Sequence, residues 1–366
     1  MAPPQFIRAS IYWMLRAAIR AGCLSLACEA AAQDVDYSLD ATATFYGDNT
    51  EFFNPFRTGE TTFGAHLRVF GEARTSDRLA IRVGVFGNQS FGSKRGFDDV
   101  RPVLALVIGG PRSRLILGTL ETGRRTYGIG PDRSGPHALL PPLQVETLAF
   151  ERPWEAGLQW LVNTPRVVLE SWVHWQRIAD AGQRERFDTG LTTRARVHRA
   201  IRIGGDLHLV HEGGQLSSNG PVADSLAGAI GAEVAGAVGS IERVTFEAFA
   251  LGSRFVPDRA STSTIRAGFG TFLRAAAEQS GWRAHALIWR GDDFLTREGD
   301  PNYQSIRLDG TPYRSLRDYA EAGVTRMFAL AKDSWLEASV RGHRVENHYE
   351  YSFRILSVAK LRLDDD

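Results

Sequence analysis

In the segment HLRVFGEARTSDRLAIRVGVF, residues 66 to 86, charged and apolar side chains alternate. His66, Arg68, Glu72, Arg74, Arg78 and Arg82 fall on one side of two extended stretches, while Leu67, Val69, Ala73, Leu79, Ile81, Val83 and Val85 fall on the other. A period of two is what a strand with two unlike faces requires. The pattern recurs almost to the C-terminus. Residues 186 to 197 set Phe187, Leu191, Ala195 and Val197 against Asp188, Arg194 and Arg196, and residues 201 to 209 set Ile201, Ile203, Leu207 and Leu209 against Arg202, Asp206 and His208. Near the end, Tyr349, Tyr351, Phe353, Ile355, Ala359, Leu361 and Leu363 oppose Glu350, Arg354, Lys360 and Arg362.

The breaks between these segments alternate in length. Short polar breaks fall at residues 75–77, 109–111, 163–165, 198–200, 239–240, 278–280 and 332–334. Between them lie irregular stretches at 47–61, 88–100, 121–154, 177–185, 212–225, 254–263 and 291–315, with a brief one at 346–348. Counting forward predicts an all-β chain of about sixteen antiparallel strands, with fourteen and eighteen as the neighbouring counts. The segment VETLAFERPW (145–154) is read as loop, because a strand there would break the alternation. Pro131, Pro136, Pro141, Pro142 and Pro153 also oppose ladder pairing in this region. The whole stretch 121–154 is a candidate for folding into a barrel lumen.

The polar face decides between a soluble and a membrane sheet. Ions stand in mid-strand at Arg68, Arg82, Glu170, His174, Arg194, Asp206, His208, Glu247, Arg266, Arg274, Glu337 and Arg341. As the core of a soluble fold, each would need a partner or cost several kcal/mol. That face must be wet or laced with ion pairs, and the apolar face must then meet lipid. Segment lengths of roughly nine to fourteen residues suit a bilayer crossing better than the ~5–6 of globular sheets. Phe45, Tyr46, Phe86, Trp175, Trp289, Trp335 and Tyr349 gather toward segment ends, as interfacial girdles do.

The first 33 residues read as a signal peptide. Arg8, Arg16 and Arg20 precede a short apolar run from Ala21 to Cys28, and Ala30-Ala31-Ala32 offers a cleavage site, with Met14 as an alternative start. SLAC is a poor lipidation box. Residues 34–366 are expected to form one barrel domain. Both cysteines, Cys23 and Cys28, lie in the leader, so a processed chain would hold no disulfide. Its removal takes away Arg8, Arg16, Arg20 and Glu29, leaving 40 basic and 41 acidic residues of the original 43 and 42. Near-neutral charge argues against a general nucleic-acid binder.

This combination resembles porin-like outer-membrane barrels of Gram-negative bacteria over roughly residues 35 to 363. More locally, FYGDNTEFFNPFRTGETTFGAHL (45–67) is similar to the opening of a group of largely uncharacterised outer-membrane barrels that carry a GDN-x-EFF-like segment before their second strand. The C-terminus departs from the usual pattern: the chain ends on Asp364-Asp365-Asp366 rather than an aromatic residue. The resemblance implies residence in the outer membrane among its lipids, assembly by the barrel machinery, and compatibility with a homo-oligomer.

A sixteen-stranded barrel is wide enough for an aqueous channel, so passive diffusion of small polar solutes is the expected function. A dedicated export or assembly barrel, for instance for polysaccharide, and a closed structural barrel are the alternatives. The residues expected to line the lumen are His66, Arg68, Glu72, Arg82, Glu170, His174, Arg194, Asp206, Arg266 and Arg341, serving solutes or merely pairing across strands. Positive charge is nearly all guanidinium, with lysine only at Lys94, Lys332 and Lys360. Asp48, Asn49 and Glu51, and separately Asp292, Asp293, Glu298, Asp300 and Asn302, supply oxygen ligands of the kind calcium takes, though without the spacing of a calcium loop. No resident metal or cofactor is expected. His66, His174, His208, His211, His285, His343 and His348 are scattered without H-x-x-x-H or H-E-x-x-H spacing, and no G-x-S-x-G occurs. The expectation is therefore a barrel that is not an enzyme, the remaining enzymatic route being a triad assembled in space from separate strands.

Overall fold

The computed structural model describes residues 35–123, 135–214 and 220–364. The expected signal peptide, residues 1–33, lies outside them. Sixteen strands form one closed antiparallel barrel in which each pairs with the next and the last returns to the first. They are β1 (Asp36–Phe53), β2 (Thr58–Ser76), β3 (Leu79–Ser90), β4 (Asp99–Gly110), β5 (Ser113–Thr119) and β6 (Ala156–Asn163). Then come β7 (Val167–Arg177), β8 (Glu185–Arg196), β9 (Ile201–Gly213), β10 (Ala223–Val238) and β11 (Ile241–Val256). The wall is completed by β12 (Arg266–Gln279), β13 (Trp282–Asp292), β14 (Arg317–Ala331), β15 (Ser334–Val345) and β16 (His348–Asp364). Closure leaves no edge strand with unpaired backbone groups, which is the condition for crossing a bilayer with strands.

The alternation sorts the side chains. Leu67, Leu79, Ile81, Val83 and Val85 are exposed on the outside, together with Leu104, Ile230 and Val340, while Glu72, Glu170, Asp206 and Glu247 are buried inside. The outer face thus presents hydrocarbon to lipid, and the inner face carries ion pairs. Two boundaries differ from expectation. The turn after β2 is Asp77-Arg78, so Arg78 sits exposed in the turn and not among the lumen residues. The GDNTEFF segment is strand rather than loop: Tyr46, Asp48, Thr50 and Phe52 continue the inward period, and Asp48 pairs in register with Thr62 and Arg354.

Two connections fill the interior. Leu120, Leu139, Leu140 and Leu143 from the 120–155 connection, and Phe294 and Tyr303 from the 293–316 connection, share one buried cluster with Trp172, Phe249, Phe272, Trp289 and Tyr319. Those wall residues come from β7 and from β11 to β14, so segments touching all of them lie within the barrel. Phe150, on the one-turn helix Leu148–Glu151, stacks on Tyr46 of β1 with centroids 5.0 Å apart. Small residues let the large rings lie flat on the wall. A Cβ on Gly190 would overlap the Trp172 ring, and one on Gly270 would overlap Trp289.

Candidate functional site

Most of the charged residues that the alternation singles out hold the wall and the inner segments together. Glu72 accepts from Arg74 and Arg82, each at 2.7 Å, and Arg82 reaches on to Glu121 at 2.8 Å. Burial alone would raise the Glu121 carboxyl, yet the guanidiniums of Arg114 and Arg82 hold it at about 2. Arg68 donates to the Leu120 carbonyl at 3.3 Å, and His66 lies between the rings of Tyr46 and Phe86. Arg194 makes a two-point contact with Asp206 at 2.7 and 3.1 Å, while Arg266 pairs with Asp293. Glu170 binds His137, and His174 faces Asp188. The acids considered for calcium are dispersed: Asp48 pairs with Arg354, Asp293 with Arg266 and Asp300 with Arg57, while Asp292 ends β13.

Arg341 leads to a different kind of place. Inside the barrel, β1, β12, β13, β14, β15 and β16 and the inner segments line a cavity of about 70 Å³. Arg57, Glu146, His285, Tyr319, Glu321 and Arg354 are among its lining residues, with His343, Ser352 and Arg341. Strand register builds it. His343 on β15 stands opposite Glu321 on β14, and Arg341, two residues earlier and on the same face, stands opposite Ser352 on β16.

The hydrogen bonds there have a forced direction. The Tyr319 hydroxyl donates to Glu321 Oε2 at 2.8 Å. Its oxygen is therefore left to accept, and His343 Nδ1, 2.8 Å away, must carry the proton that it accepts. The other ring nitrogen, Nε2, then presents a lone pair to Ser352 Oγ at 2.8 Å. Serine to histidine to tyrosine to carboxylate is a chain of single-direction bonds ending on Glu321, which is also bound by His285 at 2.8 Å and lies 3.5 Å from His343 Nδ1. A hydroxyl hydrogen-bonded to an oriented imidazole base is the arrangement that activates a serine nucleophile. Phe52 fixes the imidazole from the side, edge to face at 4.9 Å. The guanidinium of Arg354 grips Asp48 at 2.9 and 3.2 Å and shares Glu146 with Arg341 at 2.9 and 3.1 Å, tying the inner segment to this wall.

A second buried centre occupies the opposite wall. His137 bonds Glu155 through Nε2 at 2.6 Å and Glu170 through Nδ1 at 2.7 Å, and stacks on Trp172 at 3.8 Å. Burial disfavours its charge, but the two carboxylates outweigh burial and lift the imidazole to about 10. It is thus the cation between two buried anions, a structural clamp. Nothing in the local sequence marks His137, since its partners lie 18 and 33 residues away.

Ser352 likewise escapes a reading of spacings, and His343 stands out there only as one of several scattered histidines. Their relation exists across a strand boundary, where register rather than sequence distance sets proximity.

Among solved structures, the fold is similar to a loop L8 deletion mutant of OmpT, an outer membrane protein of Vibrio cholerae. The match has 8% identity and a TM-score of 0.55 over 89% of this chain and 99% of that one. It is also similar to an anion-selective porin from Comamonas acidovorans, with 9% identity and a TM-score of 0.53 over 90% of this chain and 100% of that one. Identities this low establish a shared fold, that of a sixteen-stranded barrel of the outer-membrane type. No curated protein matches the chain by sequence. The lipid A 3'-O-deacylase-type family matches residues 29–361, nearly the whole chain. That match overturns the expectation of a barrel without enzymatic character, which rested on motif spacing, and spacing cannot see groups brought together by β-register. The chain belongs to the lipid A 3'-O-deacylase-type family.

Proposed function

We propose that this protein is an outer-membrane acyl hydrolase that cleaves an ester-linked acyl chain from an anionic glycolipid of the lipid A class. The observation that carries this reading is the directed chain from Ser352 through His343 and Tyr319 to Glu321, facing a cavity. His343 Nε2 takes the Ser352 proton as Oγ attacks the ester carbonyl. The same imidazolium returns the proton to the departing alcohol, and water then releases the fatty acid from the acyl-serine by the reverse relay. Arg341 and Arg354 line the cavity and supply positive charge toward the oxyanion and toward an anionic headgroup. The height is suitable. Tyr351 and Phe353 flank Ser352 on the outer face and are exposed, as are Phe53, Phe63 and Tyr349 at the same end, a belt expected at headgroup level.

The test is release of free fatty acid from lipid A-containing vesicles by the folded barrel, followed by mass spectrometry. No release from wild type sinks the reading, and undiminished release by Ser352→Ala removes the assigned nucleophile.

A channel for small polar solutes is the second reading, supported by the sixteen-stranded porin-type fold. The packed inner segments weigh against free diffusion through the barrel. Ohmic conductance of the purified wild type in planar bilayers would favour it.

A further inference from the structure

Asp188 on β8, His208 on β9 and Glu298 on the inner 293–316 segment are all buried, and one ligand atom from each lies within 4.8 Å of the other two. His208 Nδ1 is 3.2 Å from the Leu143 carbonyl oxygen, which can only accept, so Nδ1 carries a proton. The opposite nitrogen, Nε2, points at two carboxylate oxygens, Asp188 Oδ2 at 3.2 Å and Glu298 Oε2 at 3.8 Å. One atom at this point, Glu298 Oε2, has no hydrogen-bond partner, while His174 Nδ1 lies 3.2 Å from Asp188 Oδ1 and 3.5 Å from Glu155 Oε1. Glu298 is more than nine-tenths buried, so no bulk water answers for it.

The Asp188 contact is at the long end of the hydrogen-bond range and the Glu298 contact lies beyond it. Charge-assisted N–H···O contacts close to ~2.7–2.9 Å, and His137, nearby on the same wall, does so at 2.6 and 2.7 Å. The contacts of His208 are longer. A tetrahedral ion with bonds of ~2.0–2.1 Å holds its ligand atoms roughly 3.3 Å from one another, which is the spacing of His208 Nε2 and Asp188 and close to that of Glu298. The outer ring is also what a metal site carries. The imidazole is oriented by a backbone carbonyl, and Asp188 Oδ2 accepts from Trp172 Nε1 at 3.1 Å. Glu298 has its other oxygen, Oε1, held by Arg152 and Arg186 at 2.9 Å and by Gln176 at 3.0 Å. Oε2 is left aimed at His208.

We propose that Asp188, His208 and Glu298 bind a divalent first-row transition metal of the zinc class, one nitrogen and two carboxylate oxygens, leaving a fourth position for water. One imidazole with two carboxylates suits zinc better than calcium, which takes six or more oxygens. The ion ties two wall strands to the 293–316 segment. The same segment carries Asp300, which pairs with Arg57 beside the Ser352 cavity at 2.6 Å. The site sits on the wall across from Ser352 and does not depend on the hydrolase reading.

The test uses the full barrel, purified, stripped with chelator and dialysed against zinc. Elemental analysis should find one zinc per barrel, and the unfolding temperature should rise to a plateau at that stoichiometry. Asp188→Asn, His208→Gln and Glu298→Gln, each shown to fold by heat-modifiable migration, should lose both effects. Zinc absorption spectroscopy of the wild type needs no variant and should report a single imidazole among light-atom neighbours. No retained zinc, retention unchanged in all three variants, two or more imidazoles, or equal stabilisation by calcium would each overturn the proposal.

Discussion

His343 Nε2 stands 2.8 Å from Ser352 Oγ across the boundary between β15 and β16, with its ring turned by Tyr319 so that the lone pair meets the hydroxyl. Ser352→Ala and His343→Gln are each expected to lower ester hydrolysis by about 10³-fold or more while leaving the folded barrel intact. Tyr319→Phe removes only the orienting group. A smaller loss in kcat with KM little changed is expected from steady-state kinetics, and equal activity in Tyr319→Phe would show that the relay does not orient the base.

The inner segments determine whether the barrel conducts. Replacing residues 121–154 with a short Gly/Ser linker removes Leu139, Leu140, Leu143 and Phe150 from the lumen along with the Glu146 contacts to Arg341 and Arg354. Only the 293–316 segment then remains inside a sixteen-stranded wall that is otherwise wide enough for water. Planar-bilayer recording should show steady conductance well above that of the wild type; equal conductance would mean these residues do not block the path.

His137 gives the inner segment a pH limit at the alkaline end. Its folded value is raised to about 10 from an ordinary value near 6.5, because Glu155 and Glu170 more than offset burial. A raised value means the contribution is complete below the unfolded value and is lost as pH rises through the folded one. Melting temperature should therefore fall between about pH 6.5 and 10 by more in wild type than in His137→Gln. His137→Leu, which leaves two buried carboxylates facing each other, should cost about 3–5 kcal/mol at neutral pH by denaturant titration.

Ile230 is 73% exposed in the middle of β10, between Gly205 of β9 and Ala250 of β11. Facing lipid, it tolerates no charge. Ile230→Arg should destabilise the barrel by about 2–4 kcal/mol in bilayer unfolding measurements, whereas a cost near zero would place this position outside the hydrocarbon.

How much was legible in the sequence follows from the geometry of strands. A two-residue period and the alternation of short and long breaks are local properties, and they carried the strand number and the two faces of the wall. The segment 47–53 reads as loop in the sequence because its Gly, Asp and Asn residues are common in turns, whereas pairing with β2 and β16 holds it extended. The chemistry was not legible. Ser352, His343 and Glu321 sit on three strands, and only cross-strand register sets them within reach of one another. The same holds for His137 between Glu155 and Glu170 and for Asp188, His208 and Glu298, where a folded-in connection meets the wall. Alternation along one strand determines which way a side chain points. Which partners it meets is decided by the closure of the barrel and by what packs inside it, because those contacts join residues far apart in the chain.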